Sequence, residues 1–280
     1  MKNITRILAF PVLAVVIMLL TQVVISFMVV MGSFVASGEI ITTGTDNIPT
    51  VSGGVLSLAL LLSSIVTIII IMLIKQYGLR NAFSKLGCSV PNAVLAFLGI
   101  CLGTFASNIL IELCDLPNSM EEEFLGMSQG VLGIIAIGIV GPICEELVFR
   151  GGVMRPMLSH GVNPWVVVFV SAAIFGIIHW NPIQIPFAMM IGFMYGIVYL
   201  RTGSLVITTI CHIINNTTSV LMMNGMGRES MESTFEGEFG MTTTIIALIA
   251  SLALCIVCLK LFWNRTEHDK KEVLPNLCGE

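Results

Sequence analysis

Long unbroken apolar runs, rather than any alternation of apolar and polar positions, dominate the chain. Eight of them, roughly 7–35, 53–74, 91–114, 130–150, 164–180, 183–200, 204–224 and 241–263, are separated by short polar or glycine- and proline-bearing breaks. A bilayer-crossing helix needs about 20 mostly apolar residues. Backbone groups in hydrocarbon must also satisfy one another within the segment, which favours helices. The pattern therefore predicts an all-α, polytopic transmembrane helical bundle of about eight spans. The fifth and sixth runs are the shortest, divided only by Asn181-Pro182, and Arg201-Thr202-Gly203 ends the sixth. The first run is far longer than the apolar stretch of about 7–15 residues in a cleaved signal, so it reads as a retained anchor.

Charge placement tests this threading. Lys and Arg concentrate in cytoplasmic loops. With the N-terminus inside and eight spans, twelve of the 13 basic residues fall on the cytoplasmic side: Lys2, Arg6, Lys75, Arg80, Lys85, Arg150, Arg155, Arg201, Lys260, Arg265, Lys270 and Lys271. Arg228 is the exception. The opposite loops hold Glu39, Asp46, Asp115, Glu121 to Glu123, Glu229, Glu232, Glu236 and Glu238. The expectation is an integral protein of a bacterial plasma membrane with both termini cytoplasmic.

Composition agrees. Of 280 residues, 56% are hydrophobic and 11% charged, against about 25% charged in soluble domains. A net charge of −4 offers no basic field for nucleic acid. The eight cysteines show neither a disulfide framework nor a paired zinc-binding spacing. Gly192 and Gly196 form a small-residue spacing that suits packing within the chain, and oligomeric state is not legible. The organisation expected is residues 1–128 as three N-terminal helices, 129–225 as a core of helices four to seven, and 226–280 as a last helix and tail.

Ionisable side chains inside spanning helices cost about 2.5–3.5 kcal/mol each on insertion scales, so they are candidates for function. Three clusters qualify. In Glu145-Glu146-Leu147-Val148-Phe149-Arg150, Glu146 and Arg150 lie one turn apart in the favourable order, while adjacent Glu145 projects about 100° away and is left without a local partner. Phe175 and His179 share a face of the next helix. His212 and Asn216 share a face two helices on. Each cluster alone is equally well read as a buried ion network or as polar glue between helices. One glutamate, two histidines and one asparagine facing a common cavity would be a catalytic inventory.

These residues resemble the CPBP family, the type II CAAX prenyl endopeptidases and bacterial Abi-type proteins, marked by EExxxR, FxxxH and HxxxN on separate membrane helices. Order and internal spacing match over about residues 130–224. The resemblance implies an intramembrane endopeptidase acting on a membrane-associated peptide or lipidated, CAAX-like protein. In that reading Glu145 activates water, His179 holds the same water, His212 and Asn216 form the oxyanion hole, and Glu146, Arg150 and Phe175 support them from behind. No cofactor is then required.

Two alternatives stay open. Glu145, His179 and His212 could instead hold a catalytic zinc, since two histidines and a glutamate with one open position form a known set. The same polar groups could also serve a non-catalytic bacteriocin-immunity or transport-type protein. At about 1.5 Å per residue, Glu145 lies about 22 Å from Gly130 but His212 only about 12 Å from Ser204. The three motifs therefore come level only if helices tilt or the 164–200 hairpin does not fully cross. The cavity is expected to open to the cytoplasm.

Overall fold

The computed structural model describes residues 2–37, 51–79, 82–231 and 234–266, with side chains omitted at 2–6, 37 and 226–231. The expectations for Glu39, Asp46, Arg80, Glu232, Lys270 and Lys271 lie outside the described residues, and those for the side chains of Lys2, Arg6, Arg228 and Glu229 lie outside the described side chains. Among the described residues every regular element is helical.

Eight apolar helices follow in chain order: α1 (Lys2–Ser37), α2 (Gly53–Leu73), α3 (Val90–Leu113), α4 (Gly130–Ser159), α5 (Pro164–Ile177), α6 (Gln184–Thr202), α7 (Val206–Met231) and α8 (Met241–Arg265). Seven are long and apolar enough to cross a membrane; α5, with 14 residues, is not. At about 1.5 Å per residue it reaches only about 21 Å. The α5 arm of the 164–200 hairpin is thus too short to cross fully, the condition under which the motifs come level.

Local chemistry sets the boundaries. Ser52 caps α2 by accepting from the Val55 N–H, and the Asn163 side chain accepts from the N–H groups of Trp165 and Val166 ahead of α5, whose first residue is Pro164. Such caps satisfy orphan donors at a helix start. Gly203 ends α6 in the left-handed region at φ 60°, where glycine carries no steric cost.

α4 extends nine residues beyond the expected end at residue 150, to Ser159, and is not uniform. Ile134–Val140 and Leu147–Met154 are π-helical, on either side of an α-helical Gly141–Glu146. π turns inside helices occur frequently at functional sites, and here they flank the two glutamates.

Packing places the mass of the protein at one end. α5 and α6 pack as a close pair, α3 packs on α8 and α6, and α1 packs on α2 and on the second π-helical stretch of α4. Gly192 and Gly196 lie against α5: a methyl on Gly192 would meet Phe175 at 2.9 Å, and one on Gly196 would meet Val168 at 3.0 Å. The small-residue spacing therefore serves packing within the chain, as membrane helices without a hydrophobic drive require. The main core joins Ala14, Met18, Ile71, Tyr77, Leu147, Phe149, Met154, Val168 and Tyr199, all towards the end that carries the loops after α2, α4 and α6. At the opposite end a short acidic helix, Glu121–Ser128, folds over the bundle. It is fixed there by Gly53–Gly126 backbone contact, by the Ser57 hydroxyl donating to the Met127 carbonyl at 2.6 Å, and by Asn224 donating to the Ser128 carbonyl at 2.6 Å.

Candidate active site

The two glutamates of α4 divide between core and cavity. Glu146 is fully buried, with Arg150 at 3.0 Å and also fully buried. Arg150 donates to the Gly192 carbonyl at 2.9 Å, and its guanidinium stands 5.2 Å from the Phe175 ring centre and 5.3 Å from that of Tyr195. A cation at that range gains from each ring face. The i,i+4 pair expected from spacing is therefore present and enclosed by aromatic rings. Glu145 differs: its side chain is 25% exposed, and the exposure is to a cavity.

His212 of α7 joins the two carboxylates. Its Nδ1 lies 3.1 Å from Glu146 Oε1 and its Nε2 lies 3.5 Å from Glu145 Oε2. A carboxylate can only accept, so Nδ1 carries the proton towards Glu146, and Nε2 is the atom turned towards Glu145. Glu145 has no local partner on its own helix, as its spacing implies; its neighbour comes from another helix, where the His212 imidazole sits between carboxylates that diverge on their own. Phe175 packs edge-on against His212 and His179, with ring centres 5.8 and 5.0 Å away, and the Tyr195 ring lies 5.3 Å from His212 on another side.

His179 lies just past the end of α5. Its Nδ1 donates to the Phe175 carbonyl at 2.7 Å, which leaves Nε2 as the free ring nitrogen. The next residue, Trp180, takes φ 55°, a region few non-glycine residues adopt. Asn181 is fully buried and ties this turn to the loop after α3: its amide donates to Asn118 at 2.8 Å and its oxygen accepts from the Ser119 N–H at 3.3 Å. Asn216 donates one amide hydrogen to the Ile137 carbonyl at 3.3 Å, and its oxygen accepts from Asn215 at 3.0 Å. Its second N–H stays available. The Ile137 carbonyl belongs to the first π-helical stretch of α4, so the site helices are bound to each other through that irregularity.

One cavity of about 400 Å³ gathers Glu145, Phe175, His179, His212 and Asn216 in its wall. All four expected catalytic residues thus face a common space, and Glu146 and Arg150 sit behind it. Sequence reasoning missed Gln22, Glu123 and Gln184, which also line it. Gln22 accepts from the Ser63 hydroxyl at 3.2 Å and is an amide within the long apolar run of α1. The cost argument that singled out the glutamates would have found it too.

The cavity lining follows α7 from the glutamate and the two histidine side chains towards the acidic helix. Its floor is Glu145 and His212. Its walls rise through Asn216, Val220 and Met223 on α7 to Met120, Glu123, Phe124 and Met127 near the acidic helix. Towards the basic loops it is closed by fully buried Phe149, Arg150 and Tyr195.

A catalytic zinc here would need Glu145, His179 and His212 to converge on one point. Among the described residues no group of three His, Cys, Asp or Glu converges closely enough to hold a metal ion. His212 Nδ1 is committed to Glu146 and His179 Nδ1 to a backbone carbonyl. Each histidine thus presents Nε2, the orientation that a metal-bound imidazole also takes, without the three donors being drawn together as a ligand group among the described residues.

Comparison with known proteins bears on the same region. Residues 127–218 match the family model described as type II CAAX prenyl endopeptidase Rce1-like. Over 166 residues the chain is 29% identical to the protein named "Putative membrane peptidase YdiL" of Bacillus subtilis (strain 168), an alignment covering 56% of this chain and 66% of that relative, just under two thirds of its length. No solved structure matches. The matched segment contains EExxxR, FxxxH and HxxxN in full, so residues 127–218 of this integral membrane protein are similar to the Rce1-like type II CAAX prenyl endopeptidases in the very motifs that line the cavity.

Proposed function

We propose that the chain is a glutamate-type intramembrane endopeptidase that hydrolyses a peptide bond of a membrane-associated peptide or lipidated protein. The observation that carries this reading is His212 held between a cavity-facing carboxylate, Glu145, and a buried one, Glu146, which Arg150 balances. In the proposed reaction Glu145 takes a proton from water, and the resulting hydroxide adds to the carbonyl carbon of the substrate. The oxyanion accepts hydrogen bonds from the spare N–H of Asn216 and from His212 Nε2, to which Glu145 has passed the proton taken from water. Collapse breaks the C–N bond, and the leaving amine takes the proton relayed by Glu145 or His179. Preorganised donors of this kind are worth about 100- to 1,000-fold each in rate. Glu146 and Arg150 touch no substrate; they fix the tautomer and the angle of the His212 ring.

The proposal extends to location: the plasma membrane of a bacterium, with both termini cytoplasmic. No cofactor is called for, so activity should survive chelator treatment without metal add-back.

The test is cleavage of a quenched fluorescent peptide, prenylated and unprenylated, by detergent-purified protein beside Glu145→Gln. Cleavage by wild type alone supports the reading, and its dependence on the prenyl group starts to define the substrate. Equal cleavage by both removes Glu145 as the base. Failure of both, with the protein folded, favours a non-catalytic binding role for the same cavity.

A further inference from the structure

Charge and cavity shape give the molecule a direction. The exposed or part-exposed basic side chains Lys75, Lys85, Arg155, Lys260 and Arg265 all belong to the end where α2, α4 and α8 finish and α3 and α5 begin. Glu112, Asp115, Glu121, Glu122, Glu123, Glu236 and Glu238 belong to the other end. Among the described residues Arg228 of α7 is the one basic residue on that acidic side. A bias of this size sets orientation, with the basic end in the cytoplasm. Aromatic anchors fit the same frame, since tryptophan is enriched at both membrane–water interfaces. Trp165 and Trp263 stack with ring centres 5.3 Å apart at the basic end, and Trp180 is 75% exposed on the turn nearer the acidic end.

The cavity is polar along this axis. From His212 at its floor to Met223 at its rim, α7 climbs about 16 Å, and the climb is towards the acidic end. Beneath the floor, Glu146, Phe149, Arg150, Tyr195, Tyr199 and Leu205 are all at most 1% exposed, so among the described residues these side chains close the site towards the basic face.

We infer that the site is loaded from the extracytoplasmic side, and that its substrates are peptide segments in or above the outer leaflet. This rests on the peptidase reading for the word substrate, but not for the direction of access. A lipidated tail on the cytoplasmic leaflet would face the closed core. A secreted or membrane-inserted peptide with an unfolded stretch outside the cell would reach Glu145 by passing the acidic helix. The chemistry is unchanged; the pool of substrates is not the cytosolic one.

Two measurements test direction and activity separately. In a cysteine-free background that still folds, Ser119→Cys is placed near the cavity rim and Lys85→Cys at the basic end. Bacterial cells bearing each variant are treated with a membrane-impermeant maleimide. Expected is labelling of Ser119→Cys in intact cells to the extent seen after permeabilisation, and of Lys85→Cys only after permeabilisation. The reverse pattern overturns the inference. A charged, impermeant quenched peptide is then added to right-side-out and inside-out vesicles of wild-type protein. Cleavage confined to right-side-out vesicles supports it, and cleavage confined to inside-out vesicles overturns it. External labelling with no cleavage in either preparation upholds the direction of access and counts against the peptidase reading alone.

Discussion

Replacing Arg150 by methionine should separate the structural from the chemical contribution of the buried cluster. Arg150 neutralises Glu146 at 3.0 Å and satisfies the Gly192 carbonyl at 2.9 Å, and neither charged side chain reaches water. Arg150→Met leaves Glu146 with His212 as its remaining close partner. Removing one member of a fully buried pair costs about 3–5 kcal/mol, or about two to three and a half decades in the folded-to-unfolded ratio at 1.4 kcal/mol per decade. Adding Glu146→Leu removes the stranded charge and fills the space with apolar atoms. Most of the loss should return, leaving about 1–3 kcal/mol for the orphaned His212 Nδ1 and Gly192 carbonyl. The assay is reversible denaturation in mixed micelles, followed for both single variants and the double. Peptide cleavage should be lost in the double variant despite its recovered stability, because His212 is no longer held. A cost below about 1 kcal/mol for Arg150→Met, the range of exposed pairs, would refute the premise that this pair is desolvated.

Other substitutions probe the frame. A methyl at Gly103 would collide with the sulfur atoms of Met194 and Cys255, so Gly103→Ala should part α3 from α6 and α8 at a cost of about 1–3 kcal/mol, read in the same micelle assay. Asn181→Ala breaks both ties from the α5–α6 turn to the loop after α3. Because Met120 and Gln184 on either side of that junction line the cavity, KM should rise more than kcat falls. Tyr77 lies between α2 and α3 and donates to the Phe10 carbonyl at 2.8 Å, and burial pushes its hydroxyl from 10.0 up to about 12. A raised acid stabilises the fold fully below the unfolded value and loses that contribution as pH climbs through the folded one. Stability should therefore fall between pH 10 and about 12 in wild type, and Tyr77→Phe should lack that part of the fall.

The sequence made the helices legible because lipid enforces long apolar runs, and it made the site residues legible because each breaks such a run at a known cost. α5 was the weak point for a physical reason. Its apolar run continues through Ile178 to Trp180, but the helix stops at Ile177 because His179 and Trp180 turn the chain towards Asn181, whose partners are Asn118 and Ser119. Those partners lie more than sixty residues upstream, beyond any local pattern. The extension of α4 was hidden for the opposite reason. Arg150 and Arg155 look like a helix end facing water, yet Arg150 is paired and enclosed, and the helix runs on to Ser159. The side on which the cavity opens was also beyond a rise-per-residue estimate. It depends on the core filling the basic end and on Glu121–Ser128 folding over the other, and both are tertiary outcomes.

Why two adjacent glutamates should serve one site also follows from the geometry. On an isolated helix their carboxylates diverge by about 100°, so proximity in sequence gives them no common target. An imidazole has two nitrogens on different edges of its ring, and His212 offers one to each. With Arg150 charged, a doubly protonated His212 balances both carboxylates, so the cluster as a whole is neutral. A singly protonated His212 leaves one negative charge, and Glu145 alone has the exposure to carry it into the cavity. Glu146 and Arg150 thus decide which of the two carboxylates remains free to take a proton from water. Moving the glutamate pair by one position, for example by deleting Cys144, would turn both side chains by a further 100° and lose the shared imidazole. That variant should be inactive towards the quenched peptide even where Glu145→Asp, which keeps the direction and shortens the reach, retains measurable cleavage.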